Sequence, residues 1–209
     1  MLNQVWSRDI TKFHGPAKWT YFYPYVIIDI YSRHVVGWMV ADRESSALAE
    51  RLRADTIRKH GVHPHELTIH ADNGSSMASK PVALLLADLG VTKSDFRPHV
   101  SHDHPYSEAQ FKTLKYRPDF PRQFGSLGDA RSFCLRVFAW YNNAHRHSGI
   151  GFHTPPDIHY GRASWRRATR ARVLAEAYAA HPERFVRKPP EPPSLREAAW
   201  INCPTQEVA

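Results

Sequence analysis

The sequence predicts a mixed α/β fold, in which a sheet of five strands is flanked by helices. Within the first 100 residues, short runs of β-branched and aromatic residues alternate with stretches of helical periodicity. The first three of these runs follow one another without a helix between them, and the second half of the chain has mainly helical patterns. The predicted order β-β-β-α-β-α-β-α-α differs from that of an all-parallel, doubly wound sheet.

Five segments have the composition of strands. They are residues 5–12, Tyr21–Asp29, 34–41, 66–70 and 91–93. A turn-like tripeptide separates the second segment from the third, which predicts a β-hairpin. Pro24 indicates that its strand is frayed or lies at a sheet edge at that point, because proline cannot donate to the ladder.

Helical periodicity is found in five segments. They are residues 46–60, 79–89, a segment that begins between 105 and 107, 129–142 and 164–181. Gly61 and Gly90 are placed to end the first two. The strongest pattern is that of 129–142, whose apolar residues form one stripe: Ala130, Phe133, Cys134, Val137, Phe138 and Tyr141. Because Cys134 lies on this stripe, we interpret it as a packing residue rather than a reactive thiol.

Charge and cysteine content limit the class of protein. The chain of 209 residues has a formal net charge of +8, which favours a polyanionic partner. Its apolar runs are shorter than the ~20 residues of a membrane-spanning helix, and two cysteines 69 positions apart exclude a disulfide framework. These features predict a soluble protein of a reducing compartment, without a membrane partner. Residues 162–188 hold eight Arg and Lys against two Glu, so we expect a core domain over 1–160 and, over 161–209, a basic helix, a proline-rich linker and a tail.

Three acidic residues stand out by their position. Asp9 lies in the first predicted strand, Asp72 directly follows the fourth, and Glu108 lies in the first turn of a predicted helix. Neighbouring strands and a nearby helix start can bring such carboxylates together, and clustered carboxylates repel one another unless a divalent cation neutralises them. Oxygen ligands of this kind suit Mg²⁺. Two such ions ~4 Å apart can assist phosphoryl transfer.

The residues around these acids carry the specificity. The informative segments are Asp9-Ile-Thr, Asp29-Ile-Tyr-Ser-Arg-His-Val-Val-Gly-Trp, His70-Ala-Asp-Asn-Gly-Ser, Ser107-Glu108 with Lys112 and Lys115, and Trp140-Tyr-Asn-Asn-Ala-His-Arg-His-Ser-Gly with Thr154-Pro155. In these segments, and in their order, the sequence resembles the insertion-sequence transposases whose catalytic core is of the retroviral-integrase type. The resemblance covers roughly residues 5–160.

The resemblance implies a ribonuclease-H-like fold and a catalytic triad of Asp9, Asp72 and Glu108, which would also be the metal ligands. The implied cofactor is Mg²⁺, for which Mn²⁺ can substitute, with two ions when DNA is bound. The implied reaction is hydrolytic nicking of transposon ends, followed by attack of the 3′-hydroxyl on target DNA. Asn73 follows Asp72 and is a candidate for orienting it or a metal-bound water; an ordinary turn residue is the alternative.

DNA and further copies of this chain are the expected partners, in the bacterial cytoplasm at the nucleoid. Lys112 and Lys115 share a helical face with Glu108 and are expected to hold phosphates. Arg166 and Arg170, on the basic helix, are expected to add backbone-binding surface. Related transposases carry helix-turn-helix segments before this core, whereas Asp9 here comes soon after Met1. Three explanations stay open: an engineered fragment, a truncated reading frame, or one half of a split protein whose helix-turn-helix module is a separate protein from an upstream frame.

Three alternatives stay open at this point. A nuclease of the ribonuclease-H type would use the same triad with water as its only nucleophile. A catalytically silent, DNA-binding remnant is favoured by the missing upstream module and by His104, where the family commonly has asparagine. A structural zinc site is suggested by the histidines His99, His102, His104, His145 and His147, but no cysteine lies at ligand spacing from them.

Overall fold

The computed structural model describes residues 2–63, 66–71, 92–94 and 105–201. Within these ranges it contains all five predicted strands and one additional strand of two residues. The strands are β1 (Val5–Ile10), β2 (Phe13–His14), β3 (Tyr21–Asp29), β4 (Val35–Ala41), β5 (Thr68–Ala71) and β6 (Thr92–Ser94). The predicted helix at 79–89 lies outside the described residues.

The sheet is mixed, as predicted, with β1 at its centre. The strands lie side by side in the order β4-β3-β1-β5-β6. β3 is antiparallel to β1 and β4, whereas β5 is parallel to β1 and β6 is parallel to β5. β2 continues the line of β1 and pairs with the first residues of β3. β3 is therefore an internal strand, and the edge position considered for Pro24 is wrong. Pro24 instead lies opposite the break between β1 and β2, where its carbonyl accepts a hydrogen bond from Thr11 N (3.0 Å).

Five α-helices occur in the described ranges, and we number them in chain order. They are α1 (Ser46–His60), α2 (Pro105–Lys115), α3 (Leu127–Asn143), α4 (Pro155–His159) and α5 (Ala163–Ala180). α1 ends as predicted at Gly61, whose φ of 59° is the left-handed conformation that glycine adopts without strain. The Ser126 side chain caps the start of α3 by accepting a hydrogen bond from Asp129 N (3.0 Å).

The two faces of the sheet carry separate apolar cores. On the α1 face, Trp6, Ile27 and Ile69 are fully buried among other apolar side chains. On the opposite face, Val26 and Ile28 pack against α2 and α3. All six residues of the predicted α3 stripe are buried in this second core. Burial raises the pKa of the Cys134 thiol to about 12, which fits its interpretation as a packing residue.

The residues that follow α3 return to the core. α4 begins with a capping box between Thr154 and Asp157. After α5, the chain has no regular structure from 189 to 200, yet it contacts the core: the Tyr31 hydroxyl donates to Arg196 O (3.2 Å) and the Tyr106 hydroxyl to Trp200 O (2.8 Å). In the part of the chain that the structure describes, no helix combines the length and the apolarity needed to cross a membrane.

Candidate active site

α2 lies along one face of β1, and two polar contacts fix its position. The hydroxyl groups of Ser7 and Ser107 are 2.7 Å apart in a buried hydrogen bond, and Lys115 Nζ donates to Thr11 Oγ1 (2.6 Å). The four steps from Ser7 to Thr11 span ~13 Å in extended chain, and the eight steps from Ser107 to Lys115 span ~12 Å in a helix. The helix and the strand therefore run in the same direction with matched lengths.

Asp9 lies on the face of β1 that α2 covers. Side chains alternate along a strand, so Ser7, Asp9 and Thr11 share one face, whereas Trp6 and Arg8 share the other. The Asp9 side chain is partly buried, and its Oδ1 accepts a hydrogen bond from Ile10 N (2.7 Å). Burial lowers the pKa of the neighbouring Lys115, and attraction to Asp9 opposes that shift.

Glu108 lies in the first turn of α2, as predicted, and is exposed. A carboxylate at this position interacts favourably with the helix dipole. Lys112 follows Glu108 by four residues and Lys115 by seven, so all three lie on one edge of the helix. The buried side of α2, which includes Ser107 and Phe111, faces the sheet. The structure thus brings the edge that carries Glu108 to the strand that carries Asp9.

Asp72 and Asn73, the remaining residues of the predicted site, lie outside the described residues. The last described pair of the β1–β5 ladder is Arg8 with Ala71. Among the described residues, no group of three or more His, Cys, Asp or Glu side chains is arranged to hold a metal ion. The donors that are described, the carboxylates of Asp9 and Glu108, are oxygen ligands of the type that Mg²⁺ prefers.

The two arginines expected to contact DNA have intramolecular partners. Arg166 Nε donates to Asp157 Oδ1 (3.3 Å) while its side chain stays 50% exposed. Burial acts to raise the pKa of Asp157, but hydrogen bonds from Thr154 and Arg166 outweigh it, and the pKa is lower than its ordinary value. Arg170 donates to the carbonyls of Gly151 (3.0 Å) and Phe152 (2.7 Å). Both contacts hold α5 against the segment that follows α3, and a role in DNA binding stays a prediction.

Sequence reasoning missed several contacts that position α2. The Ser7–Ser107 hydrogen bond joins residues 100 positions apart. The Arg33 guanidinium lies over the Tyr106 ring, 3.8 Å from its centroid. Arg33 and Ser107 both occur in the segments that carry the family resemblance, but local periodicity contains no signal for pairs so distant in sequence.

Comparison with known proteins identifies the fold. Two models of the integrase core domain match the chain, one over residues 1–101 and the other over residues 89–155. The HTLV-2 integrase catalytic core domain, solved in complex with magnesium, superposes with a TM-score of 0.56 at 17% identity, covering 76% of this chain and 97% of that one. The BIV integrase catalytic core domain covers 78% of this chain with a TM-score of 0.52. The fold is therefore that of the ribonuclease-H-like integrase cores.

Curated transposases match the same part of the chain. The transposase for insertion sequence element IS904 of Lactococcus lactis is 29% identical over 157 residues, which is 75% of this chain and 61% of that transposase. Transposase InsF for insertion sequence IS3A of Escherichia coli is 28% identical, over 73% of this chain and 52% of that protein. The chain thus spans about half to three fifths of the length of these relatives. The chain matches the integrase core domain over residues 1–155 and is similar in this part to insertion-sequence transposases.

Proposed function

We propose that this chain performs divalent-metal-dependent DNA cleavage and strand transfer, with Asp9, Asp72 and Glu108 as its catalytic and metal-binding residues. The observation that carries the proposal is the position of α2, which two polar contacts hold along the Asp9 face of β1. The edge of α2 that bears Glu108 therefore borders the strand that bears Asp9. The integrase-core matches support the same reaction class.

The register of the β1–β5 ladder supports the inclusion of Asp72. Arg8 is paired with Ala71, so one further step along both strands would place Asp9 beside Asp72. The side chains of two residues that are paired across a parallel ladder lie on the same face of the sheet. Asp72 would then join Asp9 on the face that α2 covers. Asn73, the next residue, would orient Asp72 or a metal-bound water.

The carboxylates of Asp9, Asp72 and Glu108 would hold Mg²⁺ or Mn²⁺, two ions when DNA is bound. Bound there, the ions would make the attacking oxygen more nucleophilic and stabilise the leaving oxygen. Lys112 and Lys115, on the Glu108 edge of α2, would bind phosphates of the scissile strand. Lys115 is held by Thr11, which leaves the exposed Lys112 as the more adaptable phosphate contact.

The proposed partners are the transposon ends, the target duplex, further copies of this chain assembled on DNA and a separate helix-turn-helix protein that recognises the ends, at the bacterial nucleoid. A chain of the simian T-cell lymphotropic virus intasome, solved in complex with the PP2A regulatory subunit B56 gamma, has a TM-score of 0.56 with this chain. The HTLV-2 core was solved in dimeric and trimeric forms. These relatives support the proposal of an assembly on DNA.

A strand-joining assay tests the proposed reaction. The chain is supplied with a pre-processed DNA end whose 3′-hydroxyl is exposed, a target plasmid, and Mg²⁺ or Mn²⁺. We expect the wild type to join the end to the target, or to reverse the reaction on a branched substrate. Asp72→Asn should abolish both activities, because it removes a charge from the metal site while it preserves the shape of the side chain. Folding should persist, since removing one of several clustered carboxylates relieves repulsion.

Asp55→Asn is the matched control, because Asp55 is an exposed acid on α1, whose side of the sheet is opposite to that of α2. The Asp55→Asn variant should join DNA as efficiently as the wild type. A folded, DNA-binding wild-type protein without joining, disintegration or nicking in either metal would contradict the proposal and favour the non-catalytic alternative.

A further inference from the structure

A pocket of about 540 Å³ lies beside α2 and is separate from the edge that carries Glu108. α2 contributes Tyr106, Ala109 and Thr113 to its lining, and the segment after α3 contributes Arg146, His147 and Phe152. Arg33 closes a third side from the turn between β3 and β4. The volume of the pocket is in the range of small-ligand sites.

The pocket is cationic. None of its lining residues within the described ranges is acidic, whereas Arg33 and Arg146 both contribute to it. Burial, followed by the charges of His145 and Arg33, lowers the pKa of His147 to about 3. The Nε2 atom of His147 is buried and has no hydrogen-bond partner among the described residues. Two arginines, with no acidic residue in the described lining, are complementary to an anion.

The pocket also presents an aromatic ring to solvent. Phe152 is 51% exposed, although its backbone is braced by the hydrogen bonds from Arg170 to the carbonyls of Gly151 and Phe152. Among the described residues, four other than glycine have a positive φ, and two of these, Arg33 (63°) and Phe152 (57°), line this pocket. Such conformations cost free energy and persist where the surrounding structure imposes them, often at functional sites.

We propose that this pocket binds one nucleotide of the DNA strand that passes the active site, with its base stacked on Phe152 and its phosphate near Arg146. The inference rests on the proposed function, because it takes DNA as the substrate. Ala109 directly follows Glu108, so the pocket and the catalytic edge are within about one helix diameter, ~10 Å. Arg170 is then a positioning residue, because it holds the backbone of Phe152.

Base stacking is tested with two single-stranded oligonucleotides of ten nucleotides, one with bases and one fully abasic, whose affinities for the whole chain are measured by fluorescence anisotropy. The wild type should prefer the strand with bases. Phe152→Gly should reduce this preference by at least about fivefold, the lower end of the effect of one stacked base. Glycine is chosen because it relieves the positive φ, so the variant should melt no earlier than the wild type.

Trp19→Gly is the matched control. Trp19 is also an exposed aromatic residue with a positive φ (68°), and it does not line the pocket. Its replacement should leave the preference for bases unchanged. Equal loss of preference in both variants, or none in Phe152→Gly, would overturn the stacking role.

Phosphate binding is tested by the salt dependence of the same measurement. Arg146→Ala should flatten the slope of log affinity against log salt by about 0.7, the value for one phosphate contact to a single strand. Arg58→Ala, which removes an equal charge from the exposed side of α1, should not. Equal slopes in the two variants would contradict the proposal.

The pocket and the proposed reaction fail in different ways. A wild type that discriminates bases but never joins DNA retains the pocket and loses the reaction. A wild type that joins DNA, but whose Phe152→Gly and Arg146→Ala variants bind both oligonucleotides like the wild type, retains the reaction and loses the pocket.

Discussion

The two faces of β1 differ in chemistry although their residues alternate along six positions of one strand. Trp6 is fully buried on the α1 side, where apolar residues surround it. Ser7 and Asp9 point to the α2 side, where Ser7 contacts Ser107 and Thr11 accepts a hydrogen bond from Lys115. One face therefore contributes an apolar anchor to the core, whereas the other carries Asp9, which we propose to be catalytic. A strand at the centre of a sheet can separate these tasks because its side chains alternate with a period of two.

The largest effect that tests this separation is expected from Trp6→Ala. Deleting the buried ring should cost about 3–5 kcal/mol of unfolding free energy, measured by urea denaturation. Asp9→Asn is the comparison on the opposite face: it should change stability by less than about 1 kcal/mol and abolish strand joining. Comparable losses of stability in the two variants would refute the division between the faces.

Acid should destabilise the protein through the histidines, and most clearly through His34. His34 stacks on His159 (4.6 Å between ring centroids) and lies near His60, at the end of α1. Burial, then the charges of His159, His60 and Lys59, lowers its pKa to about 3. Unfolded histidine takes up a proton near pH 6.5, whereas folded His34 does so near pH 3, so acidification between these values favours the unfolded state.

The expected contribution of His34 is up to about 1.4 kcal/mol per pH unit in that window, and its stabilising effect is complete above pH 6.5. His147, on the pocket side, has its pKa lowered to about 3 as well, so the wild-type slope should contain both contributions. Denaturant melts at pH 7, 6, 5 and 4 should show a smaller slope for His34→Gln. The control is His63→Gln, because His63 is exposed, and this variant should leave the slope unchanged. A similar change of slope in both variants would show that His34 is not the source of the acid sensitivity.

The smallest expected effect concerns phosphate contacts on the polar side. Replacing Lys112 and Lys115 together with Ala should reduce the slope of log affinity for duplex DNA against log salt by roughly two units. Lys59→Ala and Arg58→Ala, combined on α1, remove the same charge and should not alter that slope. If the α1 pair has the larger effect, DNA binds to the opposite side of the sheet.

Much of the fold was predictable because the deciding signals are local. The end of α1 was predictable because Gly61 adopts the left-handed conformation there without strain. The buried stripe of α3 was predictable because its apolar residues recur with the period of a helix. β2 was not predicted, because two residues are too short for a periodic pattern. Pro24 predicted a frayed strand or a sheet edge, because a single sequence does not reveal that the partner strand is broken opposite it.

The site was predictable only in part. The positions of Asp9 in a strand and Glu108 in a first helical turn were predicted and are confirmed, and the role of the triad stays a prediction. The contacts that position α2 join residues about 100 positions apart. They depend on how elements pack, which local periodicity does not encode. The same holds for Arg166 and Arg170, whose intramolecular partners are a carboxylate and two carbonyls in another segment.

The hydrogen bond from Tyr106 to Trp200 has a consequence for the order of synthesis. Trp200 follows Tyr106 by 94 positions, and a ribosome adds about 5–20 residues per second. Trp200 is therefore synthesised about 5–20 s after Tyr106, which lies in the first turn of α2, and the contact cannot form earlier. A nascent chain can form this contact to α2 only when nearly all of the residues in this sequence have been made, so a product that ends before Trp200 lacks it.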